Sequence, residues 1–192
     1  MAIKDLLMRT RSYRRFNPNR ALDERTLYQL VELTRLCPSS ANRQPLKYAI
    51  YWKPEDNARI FPHLAWAAAL PDWPGPAEEE RPTGYILILG DTEISTSFNV
   101  DPGIVAQTIL LAAAERGWGG CLVGSINRDA LREELSIPSR FAILLAVALG
   151  EPAETVVLED AESPSEINYW RDEDDIHHVP KRTMYEILLS FE

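Results

Sequence analysis

The sequence predicts a protein of mixed α and β structure, with one mixed β-sheet flanked by helices. Three runs rich in β-forming residues supply the sheet, at 47–53, 84–90 and 141–150. Helical patterns lie before, between and after these runs, but strand and helix do not alternate strictly along the chain. Strict alternation would indicate a wholly parallel sheet, so a mixed sheet is favoured.

The helices of the first half are predicted from apolar spacing and from their ends. A short helix covers the first ten residues, and a second begins after Asp23, a favourable N-cap. It is expected to end at Cys37, because Pro38 disfavours helical geometry in the residue before it. Residues 63–70 also look helical, whereas the proline-rich, acidic stretch 72–82 is typical of a surface excursion.

The second half begins with a predicted central helix. Asp101 and Pro102 form its start, as an N-cap acid followed by proline at the first helical position. Residues 104–114 are apolar on nearly all sides, which predicts a buried helix, and Gly117 closes it. A short strand and a further helix, capped by Asn127, then lead into the last strong strand.

Length and charge limit what the chain can be. It has 192 residues, 45% of them hydrophobic, and a formal net charge of -9. The length suits one ordinary domain with a substantial core. The acidic balance argues against the basic footprint of a nucleic-acid or anionic-membrane binder, so the expected partners are small molecules or other proteins.

Cysteine usage and the termini indicate the compartment. The chain has two cysteines, Cys37 and Cys121, with no metal-ligand spacing, so neither a zinc site nor a disulfide framework is expected. The N-terminus lacks the apolar region of a signal peptide, and the longest apolar run, 141–149, is too short to span a membrane. A cytoplasmic protein is predicted.

The chain changes character near residue 150. Residues 151–175 hold ten acidic residues and one basic residue, with few apolar positions that could build a core. We therefore expect residues 1–150 to form the core and residues 151–192 to be an arm and helix that complete the same domain. The closing helix is predicted from the spacing of four apolar residues: Met184, Ile187, Leu188 and Phe191.

The first segment that could carry chemistry is Arg11-Ser12-Tyr13-Arg14. Two guanidinium groups flank a hydroxyl, and guanidinium forks match phosphate oxygens. Residues 1–20 carry six basic residues and one acidic residue in a chain that is acidic overall. The alternative is a solvated basic face, which is how charge runs usually behave.

The second segment lies between Pro38 and Pro45, where hydroxyl and carboxamide side chains cluster. Such a loop can hydrogen-bond the polar edge of a heterocycle, or it can be a plain turn, since Ser and Asn favour turns. The third segment is the glycine-rich helix exit at 117–124, which matches neither the dinucleotide fingerprint nor the P-loop. Its alternative is an ordinary helix-to-strand turn.

The fourth segment is the pair Lys181-Arg182. Cations are disfavoured at the start of a helix, and a bound anion would remove that conflict. The adjacent His177 and His178 point to opposite faces of an extended chain, so no metal site is expected there.

Together these four segments resemble the FMN-dependent nitroreductase family. The likeness lies in their order and type, which are Arg-Ser-x-Arg at 11–14, Pro-Ser-Ser-x-Asn-x-Gln-Pro at 38–45, Leu-Val-Gly at 122–124 and Lys-Arg at 181–182. The resemblance implies an α+β fold, a three-layer α/β/α sandwich with a mixed central sheet. It also implies an intertwined homodimer with a C-terminal arm and two FMN molecules at the dimer interface. Residues 54–82 are short for the family's helical excursion over the active site.

The resemblance also implies roles for individual residues. Arg11, Ser12 and Arg14 would hold the FMN phosphate and ribityl chain, and Lys181 and Arg182 would complete the phosphate site. The partner subunit would supply the second segment to one side of the flavin. Its members are Pro38, Ser39, Ser40 and Asn42, with Gln44 reaching the polar edge of the ring. Leu122, Val123 and Gly124 would present backbone groups near N5 and O4.

The implied activity is a ping-pong oxidoreductase. NADH or NADPH would reduce the flavin and leave, and a small-molecule acceptor such as a nitroaromatic or a quinone would take the electrons. No protein side chain is expected to be catalytic, because the flavin carries the chemistry. The alternatives are a flavin-binding module or free-flavin reductase without nitroaromatic turnover, a protein that holds another phosphorylated ligand, and a non-flavin interaction protein that uses its acidic tail.

Overall fold

A computed structural model describes residues 2–190 of the chain. The chain forms two compact units. The first unit comprises the chain up to Trp66 together with Gly75–Ala153, and the second comprises Ala67–Pro74 together with the chain from Glu154 onward.

The first unit is built on a five-stranded sheet. Its strands are β1 (Phe16–Asn17), β2 (Leu46–Tyr51), β3 (Gly84–Asp91), β4 (Gly119–Val123) and β5 (Phe141–Pro152). The order is β1-β5-β3-β2, with β4 also paired to β5, and all these pairs are antiparallel. One isolated bridge between Ser12 and Gly120 is parallel, which gives the sheet its mixed character.

Helices cover both faces of this sheet. They are α1 (Ile3–Arg9), α2 (Glu24–Thr34), α3 (Pro54–Ile60), α4 (Asp101–Glu115) and α5 (Arg128–Glu134). Successive side chains of a strand point to opposite faces. Accordingly Ile86 and Ile88 of β3 pack in one core with α2 and α4, while Leu87 packs in the other with Ile60 of α3 and Leu131 of α5. The three-layer α/β/α arrangement and the α+β class are confirmed.

The predicted helix over residues 63–70 is wrong. Helix α3 lies earlier and ends at Ile60, and a single 3-10 turn, Phe61–His63, follows it. The backbone then bonds to the segment after β4, because the Ala65 N–H donates to the Ser125 carbonyl at 2.9 Å and the Asn127 N–H donates to the His63 carbonyl at 2.9 Å. These long-range bonds replace the helical ones.

Two predicted helix ends also differ from the structure. Helix α2 begins after Asp23, as predicted, but its regular part ends at Thr34, and successive three-residue turns carry the chain on to Cys37. Helix α4 is capped by Val100, so that Asp101 lies inside the first turn. Gly117, with φ at +77°, follows the end of α4 as predicted.

The second unit contains strands that the sequence analysis missed. They are β6 (Val156–Asp160), β7 (Trp170–Arg171) and β8 (His177–Lys181), followed by α6 (Met184–Ile187). Strand β8 pairs with β6 in parallel and with β7 antiparallel. Helix α6 is shorter than predicted, and Phe191 lies outside the described residues.

Two acidic residues of the second unit, Asp172 and Glu159, form hydrogen bonds with His178. The ring of His178 bonds to Asp172 and Glu159, each at 3.0 Å, and it stacks on Trp170 at 4.2 Å between ring centroids. The hydrogen bonds to Asp172 and Glu159 raise the pKa of His178. Part of the acidic stretch thus connects β6, β7 and β8 instead of being a solvated run.

Gly120 and Gly103 give a matched test of the packing. A Cβ on Gly120 would lie 2.6 Å from the Ala148 carbonyl oxygen, whereas a Cβ on Gly103 in α4 would meet nothing within 4 Å. Gly120→Ala should therefore lower the free energy of unfolding by about 1–3 kcal/mol through overpacking. Gly103→Ala should raise it by about 0.5–1 kcal/mol through helix propensity. Urea denaturation followed by circular dichroism measures both, and equal effects would contradict the packing described.

Candidate functional site

The Arg-Ser-Tyr-Arg segment lies against β4, between α1 and β1. Ser12 forms the parallel bridge with Gly120, and the Tyr13 N–H donates to the Gly120 carbonyl at 3.0 Å. A Cβ on Gly119 would lie 2.6 Å from the Tyr13 ring. The two glycines therefore allow the close approach, and the first and third segments meet at this edge of the sheet.

The two arginines of this segment occupy different surroundings. Arg14 is buried, at 8% exposure, and its guanidinium donates to the Ser12 carbonyl at 3.3 Å. The Arg11 guanidinium donates to the Leu7 carbonyl, while its Nε is buried without a hydrogen-bond partner among the described residues. Burial lowers the pKa of Arg11, and the nearby Tyr13 partly opposes this shift. A half-buried cation with an unused donor favours a bound anion.

The loop of the second segment is anchored to α4. The Ser39 hydroxyl donates to Asp101 Oδ2 at 2.6 Å, and the Ser40 N–H donates to Asp101 Oδ1 at 3.0 Å. Asp101 is almost fully buried at 2% exposure. Its carboxylate therefore holds this loop, which explains why it does not cap its own helix. Sequence reasoning missed this role, because an Asp before a Pro at a helix start has the pattern of a cap.

The tip of this loop has an uncommon backbone conformation. Ala41, Asn42 and Gln44 have φ values of +50°, +53° and +51°. The Gln44 amide donates to the Asn42 side-chain oxygen at 3.0 Å, and the Gln44 N–H donates to the Ser39 hydroxyl at 2.9 Å. A left-handed backbone conformation is energetically unfavourable for residues other than glycine, and such residues are concentrated at binding sites. Pro38, Ser40, Asn42 and Gln44 are exposed in the single chain.

A cavity of about 230 Å³ lies behind this loop. Its wall includes Cys37, Ser39, Gln44, Tyr48 and Asp101. Burial raises the pKa of Tyr48, so its hydroxyl stays protonated near neutral pH. The loop thus borders a pocket with both polar and apolar walls.

The end of β4 places the three residues of the Leu-Val-Gly motif differently. Leu122 and Gly124 are exposed, whereas the Val123 side chain is buried in the core and its backbone pairs with Ala146. The Gly124 carbonyl accepts from the Arg128 guanidinium at 3.1 Å. Arg128 was not predicted as a site residue, and its guanidinium also bonds the Ile143 carbonyl at 2.9 Å.

The first and second segments lie at opposite ends of α4 within one chain. The second is bound to Asp101 at the start of the helix. The first lies near its end, where Tyr13 shares a small cavity with Ala114 and Trp118. By the rise of an α-helix these ends are roughly 20 Å apart. The described residues give no hydrogen bond between the two segments.

Lys181 and Arg182 lie in the second unit, at the end of β8. Lys181 is exposed, and Arg182 donates to the Pro164 carbonyl at 2.7 Å and pairs with Glu186 at 3.3 Å. Glu186 also accepts the Thr183 N–H at 3.0 Å at the start of α6. The carboxylate of Glu186 therefore offsets the charge of Arg182 within the second unit.

Among residues 2–190 no group of three or more His, Cys, Asp or Glu side chains could hold a metal ion. In the same residues, every helix is too short or too polar to cross a membrane.

The comparison with known families identifies the chain. The model of the Nitroreductase family matches residues 7–151, which is most of the first unit. The chain therefore belongs to the nitroreductase family, and this confirms the resemblance seen in its motifs.

Individual relatives are distant or cover only part of the chain. An NADPH-flavin oxidoreductase of Vibrio harveyi is 40% identical over 63 residues, 32% of this chain and only 26% of that protein. A nitroreductase family protein of Clostridium difficile 630 has a TM-score of 0.69 at 20% identity over 98% of both chains. A nitroreductase from Exiguobacterium sibiricum, solved in complex with FMN, has a TM-score of 0.67 at 16% identity over 80% of this chain and 90% of that chain. At such identities the structures establish the fold.

The Asp101 anchor generates a stability prediction. Asp101→Ala should lower the free energy of unfolding by about 1–3 kcal/mol, because the Ser39 hydroxyl and the Ser40 N–H lose their acceptor. A double-mutant cycle with Ser39→Ala, measured by urea denaturation, should show a coupling of roughly 1 kcal/mol. Asp174→Ala, at an exposed acid, is the control and should have an effect within about 0.5 kcal/mol. Additive effects of the Ser39 and Asp101 changes would contradict the anchor.

Proposed function

We propose that this chain is an FMN-dependent oxidoreductase that uses NADH or NADPH to reduce a small-molecule acceptor. The observation that carries the proposal is the Arg-Ser-Tyr-Arg segment held on β4 by Gly120 in a member of the nitroreductase family. Two relatives support it, since one is an NADPH-flavin oxidoreductase and another was solved in complex with FMN. Nitroaromatics and quinones are the acceptor classes that we propose.

The residues of the first segment suit the FMN phosphate. Arg11 has a buried Nε without a protein partner among the described residues, Arg14 is a buried cation, and Ser12 offers an exposed hydroxyl. A phosphate would use the free donor and offset the two charges through charge-assisted hydrogen bonds. We propose that Arg11, Ser12 and Arg14 hold the phosphate and the ribityl chain.

When bound, FMN supplies the hydride and electron chemistry. The chain's own contribution is to position donors where negative charge develops during reduction. We propose that the backbone at Leu122, Val123 and Gly124 provides those donors near the ring. Arg128 supports this role, because its bonds to the Gly124 and Ile143 carbonyls fix the end of β4. The ping-pong order that we propose would have the nicotinamide and the acceptor use one pocket in turn.

We further propose that the working unit is a homodimer in which each site uses both chains. The first and second segments lie roughly 20 Å apart along α4 within one chain, so we propose that a second copy supplies the loop to each site. Large apolar side chains are exposed near the loop, with Leu36 at 81% and Val100 at 67% exposure. Pro38, Ser39, Ser40, Asn42 and Gln44 would then face the partner's flavin.

We also propose a role in the dimer for the C-terminal residues. Residues 151–192 would be the arm that completes a domain formed by residues 1–150 across the dimer. Exposed apolar residues on and after α6 support this, with Tyr185 at 97% and Leu188 at 70% exposure. Lys181 and Arg182 would complete the phosphate site. We place the enzyme in the cytoplasm, because two cysteines without the spacing of a disulfide framework are typical of cytosolic proteins.

Anaerobic reduction tests the proposed activity. We expect a yellow purified protein whose flavin absorbance is bleached by NADH or NADPH and restored by a nitroaromatic or a quinone. A flavin-binding module would be yellow but would not bleach, and a free-flavin reductase would pass electrons to added FMN and not to the nitroaromatic. A colourless protein that gains no thermal stability from FMN would contradict the proposal, because a ligand of the native state must stabilise it.

Arg14→Ala tests the phosphate assignment. Loss of a buried charge-assisted contact should weaken FMN binding about tenfold or more, measured by equilibrium dialysis of the flavin. Arg14→Lys should recover only part of the affinity, because an ammonium lacks the guanidinium fork. Arg25→Ala, at an exposed arginine on α2, is the control and should bind FMN as the wild type does. Full FMN occupancy of Arg14→Ala after dialysis would show that the phosphate lies elsewhere.

A further inference from the structure

A second cavity lies in the first unit, between α3 and the start of β3. Its volume is about 280 Å³, and none of the residues proposed to hold FMN lines it. Trp52, Pro54 and Pro82 give it apolar walls. A volume of this size suits a single-ring ligand, at the small end of known ligand pockets.

Three residues of the cavity wall carry buried polar atoms without a partner. These atoms are Asn57 Oδ1, Arg81 Nε and Tyr85 Oη, and none has a hydrogen-bond partner among the described residues. Folded proteins leave few buried polar atoms unpaired, because each has lost its hydrogen bonds to water without a replacement. Three such atoms on the wall of one cavity could be satisfied together by a single ligand with matching donors and acceptors.

Arg81 gives the cavity its charge preference. Its guanidinium lies over the Phe61 ring, 4.1 Å from the centroid, and forms no ion pair with the described residues. Two nearby acids are engaged elsewhere, since Glu80 pairs with Arg15 at 3.3 Å and Asp56 pairs with Arg59 at 3.4 Å, whereas Glu78 has no ion pair with the described residues. An unpaired guanidinium beside apolar walls favours a carboxylate with an apolar body.

Tyr85 and Asn57 define the remaining polar contacts. The Tyr85 side chain is fully buried, and burial raises its pKa, so the hydroxyl remains a donor. Asn57 Oδ1 can only accept, so it requires a donor on the ligand. Glu78 is exposed and also lines the cavity, which disfavours a second negative charge on the ligand.

We propose that this cavity binds an aromatic monocarboxylate with a hydroxyl or amino substituent on the ring. Its carboxylate would accept from Arg81 and Tyr85, its ring would lie between Trp52 and the prolines, and its substituent would donate to Asn57. The site is separate from the flavin chemistry proposed above and does not depend on it.

Isothermal titration calorimetry of the purified full-length protein with the three isomers of hydroxybenzoate tests this site. At least one isomer should bind more tightly than benzoate and than the uncharged hydroxybenzamide. Arg81→Gln should weaken that binding about tenfold or more through loss of a charge-assisted contact. Arg25→Gln, the control at an exposed arginine, should leave it unchanged.

Tyr85→Phe separates a binding role from a structural one. Removal of an unpaired buried hydroxyl should leave the midpoint of unfolding unchanged or raise it, while hydroxybenzoate affinity falls several-fold. A marked loss of stability without ligand would show that the hydroxyl already has a partner, such as an ordered water, and would overturn the proposal.

Two further results would also overturn it. One is the absence of binding by every isomer at millimolar concentration. The other is equal affinity of the ligand for the wild type and for Arg81→Gln. A change in the visible absorbance of bound flavin on addition of the ligand would then place the ligand at the flavin. The proposed flavin function fails in a different way, as a colourless or unbleachable protein.

Discussion

The pairing of the Arg-Ser-Tyr-Arg segment with Gly120 is the contact on which the site depends. It joins a polar connection to the edge of a buried sheet through the Tyr13 N–H and the Gly120 carbonyl. Gly119 and Gly120 allow it, because a Cβ at either position would overlap Tyr13 or the β5 backbone. Arg14 is thereby buried and Arg11 half-buried beside a strand, which is why we propose that the phosphate binds there.

At the other end of α4, Asp101 holds the loop of the second segment in place. One buried carboxylate binds Ser39 and Ser40 and fixes a loop whose left-handed residues would otherwise be costly. Helix α4 thus sets the distance between the two halves of the candidate site. That distance of roughly 20 Å is the reason why we propose that a second chain completes the site.

The sequence predicted the parts of the fold that depend on local patterns. The apolar runs of β3 and β5, the Asp23 cap and the Gly117 helix end depend on neighbours in sequence, and the structure has them as expected. The family resemblance depends on four short motifs, and the match of the Nitroreductase family model to residues 7–151 confirms it.

Features set by distant partners were not predicted. Residues 63–70 resemble a helix, but Ala65 bonds to Ser125 far along the chain. Asp101 looks like a cap and instead holds a loop sixty positions away in sequence. In the acidic tail, β6 and β8 pair across the sixteen residues 161–176, and neither strand has a regular apolar alternation that would predict it.

Subunit complementation tests the central claim most directly, which is that each flavin site takes Arg14 from one chain and the loop from the other. Arg14→Ala and a loop variant, Ser40→Ala with Asn42→Gly, should each lose FMN as homodimers. Mixed, unfolded and refolded together, they should form heterodimers with one intact site, so FMN binding and bleaching by NAD(P)H should return in part. If each site were built within one chain, the mixture would bind no more FMN than the two variants alone, and the shared site would be contradicted.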